Sequence, residues 1–177
     1  MASCTQSSKE TTENQTDSVS ISNPVPATSV NADGLLMTIL KTEDGMARGI
    51  QLGDKIEKVT ATEKVEMTQD STFYQGYTEY FNDSDEEFVD VLYYFDKAKK
   101  INTINLDVYL NKQAESNKLM GEFKNYFITK YGAIKQNGKQ AIWTLPQGKL
   151  FLEDKSVKNL PGFRIQFSSL GEIREVE

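Results

Sequence analysis

The sequence predicts an α+β fold: two α-β-β-β units forming an antiparallel sheet with helices packed on one face. Three observations carry this reading. A helical run places Leu119, Phe123, Phe127 and Tyr131 four residues apart, which stacks them on one face of about five turns. On either side of it lie segments rich in aromatic and branched residues, separated by polar turns, as antiparallel strands require. All 18 aromatic residues fall between Phe73 and Phe167, so the material for a core lies there.

Residues 1–32 precede that core. Within 5–32, six Ser, five Thr, three Asn and two Gln make up 16 of 28 positions. Such a stretch cannot bury enough apolar surface to offset its ordering entropy, and disorder is expected. A flexible chain of that length spans about 30 Å. Pro24 and Pro26 favour extended backbone near its end. The domain boundary falls near Asp33-Gly34, and 33–177 reads as a single α+β domain with possible repeats over 50–110 and 113–170.

Within the body, the apolar run 34–40 (GLLMTIL) has strand length, and Asp44-Gly45 marks a turn after it. Asp54 with Glu57 three residues later predicts a capping box opening a short helix, with Ile56 and Val59 on one face. Residues 73–81, 88–95 and 101–110 follow as three strands of a meander. For the second hairpin a register can be derived. Val89, Val91, Tyr93 and Phe95 meet Ile104, Leu106, Val108 and Leu110 on one face only if Asp96 lies opposite Ile101 across Lys97-Ala98-Lys99-Lys100. The long helix then runs from about Glu115 to Tyr131, with Gly132 as its C-terminal cap. Strands at 140–145, 149–153 and 162–170 close the chain, the last alternating Phe163, Ile165 and Phe167 with Arg164, Gln166 and Ser168.

Composition excludes several chemistries. With no histidine and one cysteine, the chain has no Ser-His-Asp or Cys-His catalysis, no His-ligated metal, no internal disulfide and no thiolate cage. Its 26 acidic against 20 basic side chains, net charge −6, argue against nucleic acid as a partner, since phosphate binding needs a basic patch. Glycines are scattered singly, with no phosphate-cradling loop. No cofactor is implied.

Ala2-Ser3-Cys4 resembles the end of a bacterial lipobox, in which two small residues precede the cysteine that is lipidated. Met1 stands at the aliphatic position, and the charged and apolar regions of a signal peptide are missing, as after trimming at the cleavage site. The resemblance implies a lipoprotein anchored to a bilayer through an acyl group on Cys4, with the polar segment as its tether. Thr5, rather than aspartate, follows the cysteine, which for such lipoproteins implies the outer membrane if the host is Gram-negative. The order of elements and Gly49-Ile50-Gln51-Leu52-Gly53-Asp54 also resemble the tandem repeats of β-lactamase-inhibitor-protein-like domains and of BamE-like envelope lipoproteins. That likeness implies a binding or assembly role rather than catalysis, with an envelope protein or a glycan as partner, or inhibition of an envelope enzyme.

The register turns Phe88, Asp90, Leu92 and Tyr94 to a second face beside Thr103, Asn105, Asp107 and Tyr109, and sets Asp90 opposite Asp107. Like charges directly across a strand pair are unfavourable without a compensating cation. Phe88, Asp90, Leu92, Tyr94, Asp107 and Tyr109 are therefore the candidate ligand-binding residues; otherwise these aromatics are packing, covered by a helix or the other half. Paired carboxylates leave one enzyme class open, a hydrolase using Asp90 with Asp107, joined by Glu79. Asp83, Asp85, Glu86 and Glu87 form an acidic loop without the spacing of a calcium site.

Overall fold

The computed structural model describes Met1 and residues 34–41, 44–82 and 85–170. Residues 2–33, which hold most of the expected tether and the expected lipidation site Cys4, lie outside the described residues, as does Asp83. In chain order the described elements are α1 (Leu35–Leu40), α2 (Ile56–Thr62), β1 (Met67–Asp70), β2 (Tyr74–Tyr80), β3 (Phe88–Phe95) and β4 (Ile101–Tyr109). They continue with α3 (Gln113–Tyr131), β5 (Lys135–Asn137), β6 (Gln140–Leu145), β7 (Gly148–Asp154) and β8 (Gly162–Ser169).

The α+β expectation of two α-β-β-β units is corrected here. All eight strands form one continuous antiparallel sheet in the order β1-β2-β3-β4-β8-β7-β6-β5, and the sheet dominates the architecture. Two of the three described helices are no longer than seven residues. The sheet outgrew the prediction because both of its edges, β1 (MTQD) and β5 (KQN), are short, mostly polar and exposed, with no apolar alternation to announce them. In β1 a register shift between Met67 and Gln69 bends the edge strand further.

Residues 34–40 form a helix, not a strand. Leu36, Ile39 and Leu40 are buried, a spacing of three and four that fits one helical face. The helix ends at Lys41, whose φ of 60° closes the last turn with its N–H on the Met37 carbonyl. Nor does the capping box form. Lys55 is the N-cap of α2 and makes no side-chain cap bond, while Asp54 Oδ2 accepts from the Gln51 N–H and Lys58 Nζ. Ile56 and Val59 are buried as expected.

The second hairpin follows the derived register from Phe88↔Tyr109 to Tyr94↔Thr103. At its tip the loop is tighter. The Asp96 N–H donates to the Lys100 carbonyl, Lys99 adopts φ 61°, and Phe95 pairs with Ile101 through a bulge. The bulge turns Ile101 into the core.

One sheet face and the helices make that core. Val91, Leu106, Ile165 and Leu152 succeed one another across β3, β4, β8 and β7, and all are fully buried. From α3, Phe127 packs on Phe123, Trp143 and Phe167 at 5.9, 5.6 and 6.1 Å between ring centres. Truncating a ring so enclosed costs about 3–5 kcal/mol. Gly132 ends α3 at φ 85°.

Candidate functional site

Side chains alternate along a strand, so the face opposite the core carries the remaining set, and among the described residues no helix packs on it. Four rows cross this open face. The first joins Tyr80, Phe88 and Tyr109, with ring centres 5.8 and 5.0 Å apart. The fourth pairs Tyr74 with Tyr94 at 5.5 Å, beside a third made of Gly76, Leu92, Asn105 and Gln166. Between them runs a polar row, Thr78, Asp90, Asp107 and Arg164, each directly opposite the next on β2, β3, β4 and β8.

The like-charge pair is therefore real, and its compensation is Arg164. Nε and Nη2 of the guanidinium donate to the two Asp107 oxygens at 2.6 and 2.7 Å, the fork geometry that binds carboxylates most strongly. Thr78 Oγ1 donates to Asp90 Oδ1 at 2.7 Å. Burial and the neighbouring Asp107 charge push the Asp90 carboxyl up, against the Thr78 hydrogen bond. Burial also raises the Tyr94 and Tyr109 hydroxyls; both sit in the fields of Asp107 and Arg164, so the two tyrosines flank the charged row.

Two glycines shape the face. At Gly76 an added Cβ would lie 2.9 Å from Leu92 Cδ2. At Gly162 it would lie 2.6 Å from the Val108 carbonyl oxygen and 2.8 Å from the Tyr109 ring. Leu92 and Tyr109 thus each lie across a neighbouring backbone that has no side chain of its own.

All six predicted site residues lie on this face and within two adjacent strands. Glu79 does not join them. It faces the helices, where it accepts from Arg48 Nη2 at 2.7 Å and pairs with Lys41 at 2.9 Å. Glu79 thus lies on the opposite face from Asp90 and Asp107, and both Asp107 oxygens accept from Arg164. Glu86 and Glu87 of the acidic loop accept from the Asn111 side chain and backbone N–H, tying the β2–β3 connection to the end of β4.

The buried network around Glu79 has no counterpart in the sequence reading. Arg48, in the loop after α1 at φ 54°, is 1 % exposed. Its Nε and Nη2 bind Glu63 Oε1 and Oε2 at 2.6 and 2.7 Å, and Nη1 reaches the Ile39 carbonyl. Tyr93 on β3 donates to Glu63 Oε1 at 2.5 Å. Burial alone would raise the Glu63 carboxyl, but Arg48, Tyr93 and Lys41 hold it below its ordinary range. Arg48, Glu63, Glu79 and Tyr93 are 14 to 45 positions apart in sequence, so local pattern carries no trace of the network.

No family model matches the chain, and no curated protein or solved structure matches it. Among the described residues no helix is long and apolar enough to cross a membrane.

Proposed function

We propose that this chain is a membrane-anchored envelope lipoprotein whose folded body is a non-catalytic binding or assembly module. The open sheet face takes the ligand, and the segment 5–32 holds the body clear of a bilayer to which Cys4 is acylated. The observation that carries the binding reading is the charged row Asp90, Asp107 and Arg164 set between two sets of aromatic rings on a sheet face that no helix covers among the described residues. Half-buried rings offer contact area at low entropic cost, and fixed charges beside them orient what binds. For the anchor, the support is Ala2-Ser3-Cys4 followed by the polar run.

Two measurements test the reading. The intact mass of the protein recovered from a bacterial membrane fraction is expected to carry acyl groups on Cys4, and Cys4→Ala to leave that fraction; an unmodified cysteine sinks the anchor. A Tyr94→Ser, Tyr109→Ser variant is expected to keep its circular dichroism spectrum while losing the envelope component that the wild type retains. If the double variant unfolds instead, these rings are packing and the binding reading fails.

A further inference from the structure

The open face extends past the charged row onto β7 and β6. There Lys149, Phe151 and Glu153 alternate with the buried Leu150 and Leu152, and Ile142 stands between the buried Ala141 and Trp143. Ile142 and Phe151 are half-buried neighbours across the β6–β7 pair, in the same row as Leu92 on β3. The face thus carries apolar groups on both sides of its middle.

That middle is the line between β4 and β8, and complementary groups stand at equal distances on either side of it. Asp107 and Arg164 flank the line itself. One strand further out, Leu92 on β3 matches Phe151 on β7 in the next row, and Tyr94 matches Lys149 in the row beyond. A two-fold axis along the strands at this line lays each group over its counterpart in a second copy: Leu92 on Phe151, the Tyr94 ring on the Lys149 ammonium, Asp107 beside Arg164. A guanidinium has five N–H donors and two serve Asp107 of its own chain, so donors remain for the other carboxylate. Turned across the strands instead, the axis would set Asp90 on Leu92 and Glu153 on Phe151, burying charge against apolar surface.

Area and geometry agree with the first arrangement. The six strands from β2 to β6, about 4.8 Å apart and about 24 Å long, present on the order of 700 Å², close to the roughly 800 Å² that each partner gives to a stable interface. Sheets packed face to face keep their strands within about 30° of each other, as an axis along the strands provides.

Resting on the binding reading above, we propose that the partner of this face is a second copy of the chain, packed sheet to sheet about a two-fold axis along the strands. This axis leaves the same end of both copies on one side, so both anchors reach one bilayer. One contact resists: Asp90 falls over Glu153 of the other copy, and like charges so placed weaken the pair.

The test is sedimentation equilibrium of the full chain at concentrations up to about 1 mM, in a reducing buffer that keeps Cys4 from crosslinking it. The mass is expected to rise to twice that of the chain. Phe151→Glu is expected to weaken association at least about tenfold with its circular dichroism spectrum unchanged, and Glu153→Gln to strengthen it about threefold by relieving Asp90. In a mixture of isotope-labelled and unlabelled chains, nuclear Overhauser effects are expected between the Leu92 methyls of one copy and the Phe151 ring of the other. Within one chain these groups lie three strand spacings apart, about 14 Å, and give none. A chain that keeps its monomer mass throughout, or that dimerises without the contact between Leu92 and Phe151, overturns the inference. Should Phe151→Glu unfold, that contact and the response of Glu153→Gln decide. If the chain stays monomeric while the Tyr94 and Tyr109 variant still loses the envelope component, the second-copy assignment fails and the binding face stands.

Discussion

Replacing Glu63 by alanine isolates what the buried network contributes. The carboxylate accepts from Arg48 Nε and Nη2 at 2.6 and 2.7 Å and from Tyr93 at 2.5 Å, with Lys41 Nζ at 3.8 Å. The Arg48 and Glu63 side chains are 1 % and 2 % exposed. Removing the acid leaves the guanidinium in the interior with only Glu79 and the Ile39 carbonyl, and leaves the Tyr93 hydroxyl without its acceptor. Removing one partner of a buried pair costs about 3–5 kcal/mol. Because Glu79 still neutralises Arg48, the lower end applies, about 3 kcal/mol, or roughly 10 °C in Tm for a body of this size. Urea unfolding followed by the fluorescence of Trp143, the one tryptophan, buried against Phe127, gives the measurement directly. The pair Arg48→Met, Glu63→Leu is expected to recover most of the loss, since apolar residues of similar volume commonly match a buried ion pair. A loss below about 1 kcal/mol for Glu63→Ala, the level of an exposed pair, would refute the reasoning.

The same carboxyl sets an acid limit. Its folded-state pKa lies below its ordinary 4.5, so its stabilisation is complete above that value and is lost as pH falls through the depressed one; Glu63→Gln should flatten stability against pH below about 4.5, read by urea midpoints across that range. Asp90 has the opposite sign. Its raised folded pKa means that the ionised group opposes folding, increasingly as pH rises through that value, so Asp90→Asn should stabilise by about 0.5–1 kcal/mol at neutral pH. In acid that gain should disappear. Arg164→Gln strips Asp107 of its cation and should cost about 2–3 kcal/mol, partly restored by adding Asp90→Asn, as chemical unfolding of the single and double variants would read. Gly162→Ala forces a methyl between the Val108 carbonyl and the Tyr109 ring and should cost about 1–3 kcal/mol, with the Tyr109 resonances displaced.

What the sequence made legible was whatever depends on strand alternation. The facing of Asp90 and Asp107 followed from placing Val89, Val91 and Tyr93 inward against Ile104, Leu106 and Val108, because a slip of one residue would have turned every one of them to the other face. Arg164 could be seen to point opposite Phe163 and Ile165, but not to lie beside Asp107, since that requires β8 to pair with β4 across the 52 positions between Tyr109 and Gly162. The GLLMTIL run misled because a short apolar stretch fits strand and buried helix alike. Arg48 was invisible for the same reason as Arg164: its partners are the Ile39 carbonyl of α1, Glu63 at the end of α2 and Glu79 on β2, and only the assembled fold brings them together.

The two edges of the sheet set a limit on how the molecule meets others. An exposed strand edge is a template for another chain, and an eight-stranded sheet would offer two long ones. Here each edge is a four- or three-residue strand of mostly polar, exposed residues, one of them bulged, and the first half of β2 and of β6, residues 75–77 and 140–142, is shielded behind them. Sheet extension by a foreign strand, whether a binding peptide or a second copy in a concentrated solution, is therefore poorly supported at both ends. Recognition is left to side chains standing on the face, where specificity depends on chemistry and shape rather than on backbone pairing that almost any sequence could supply.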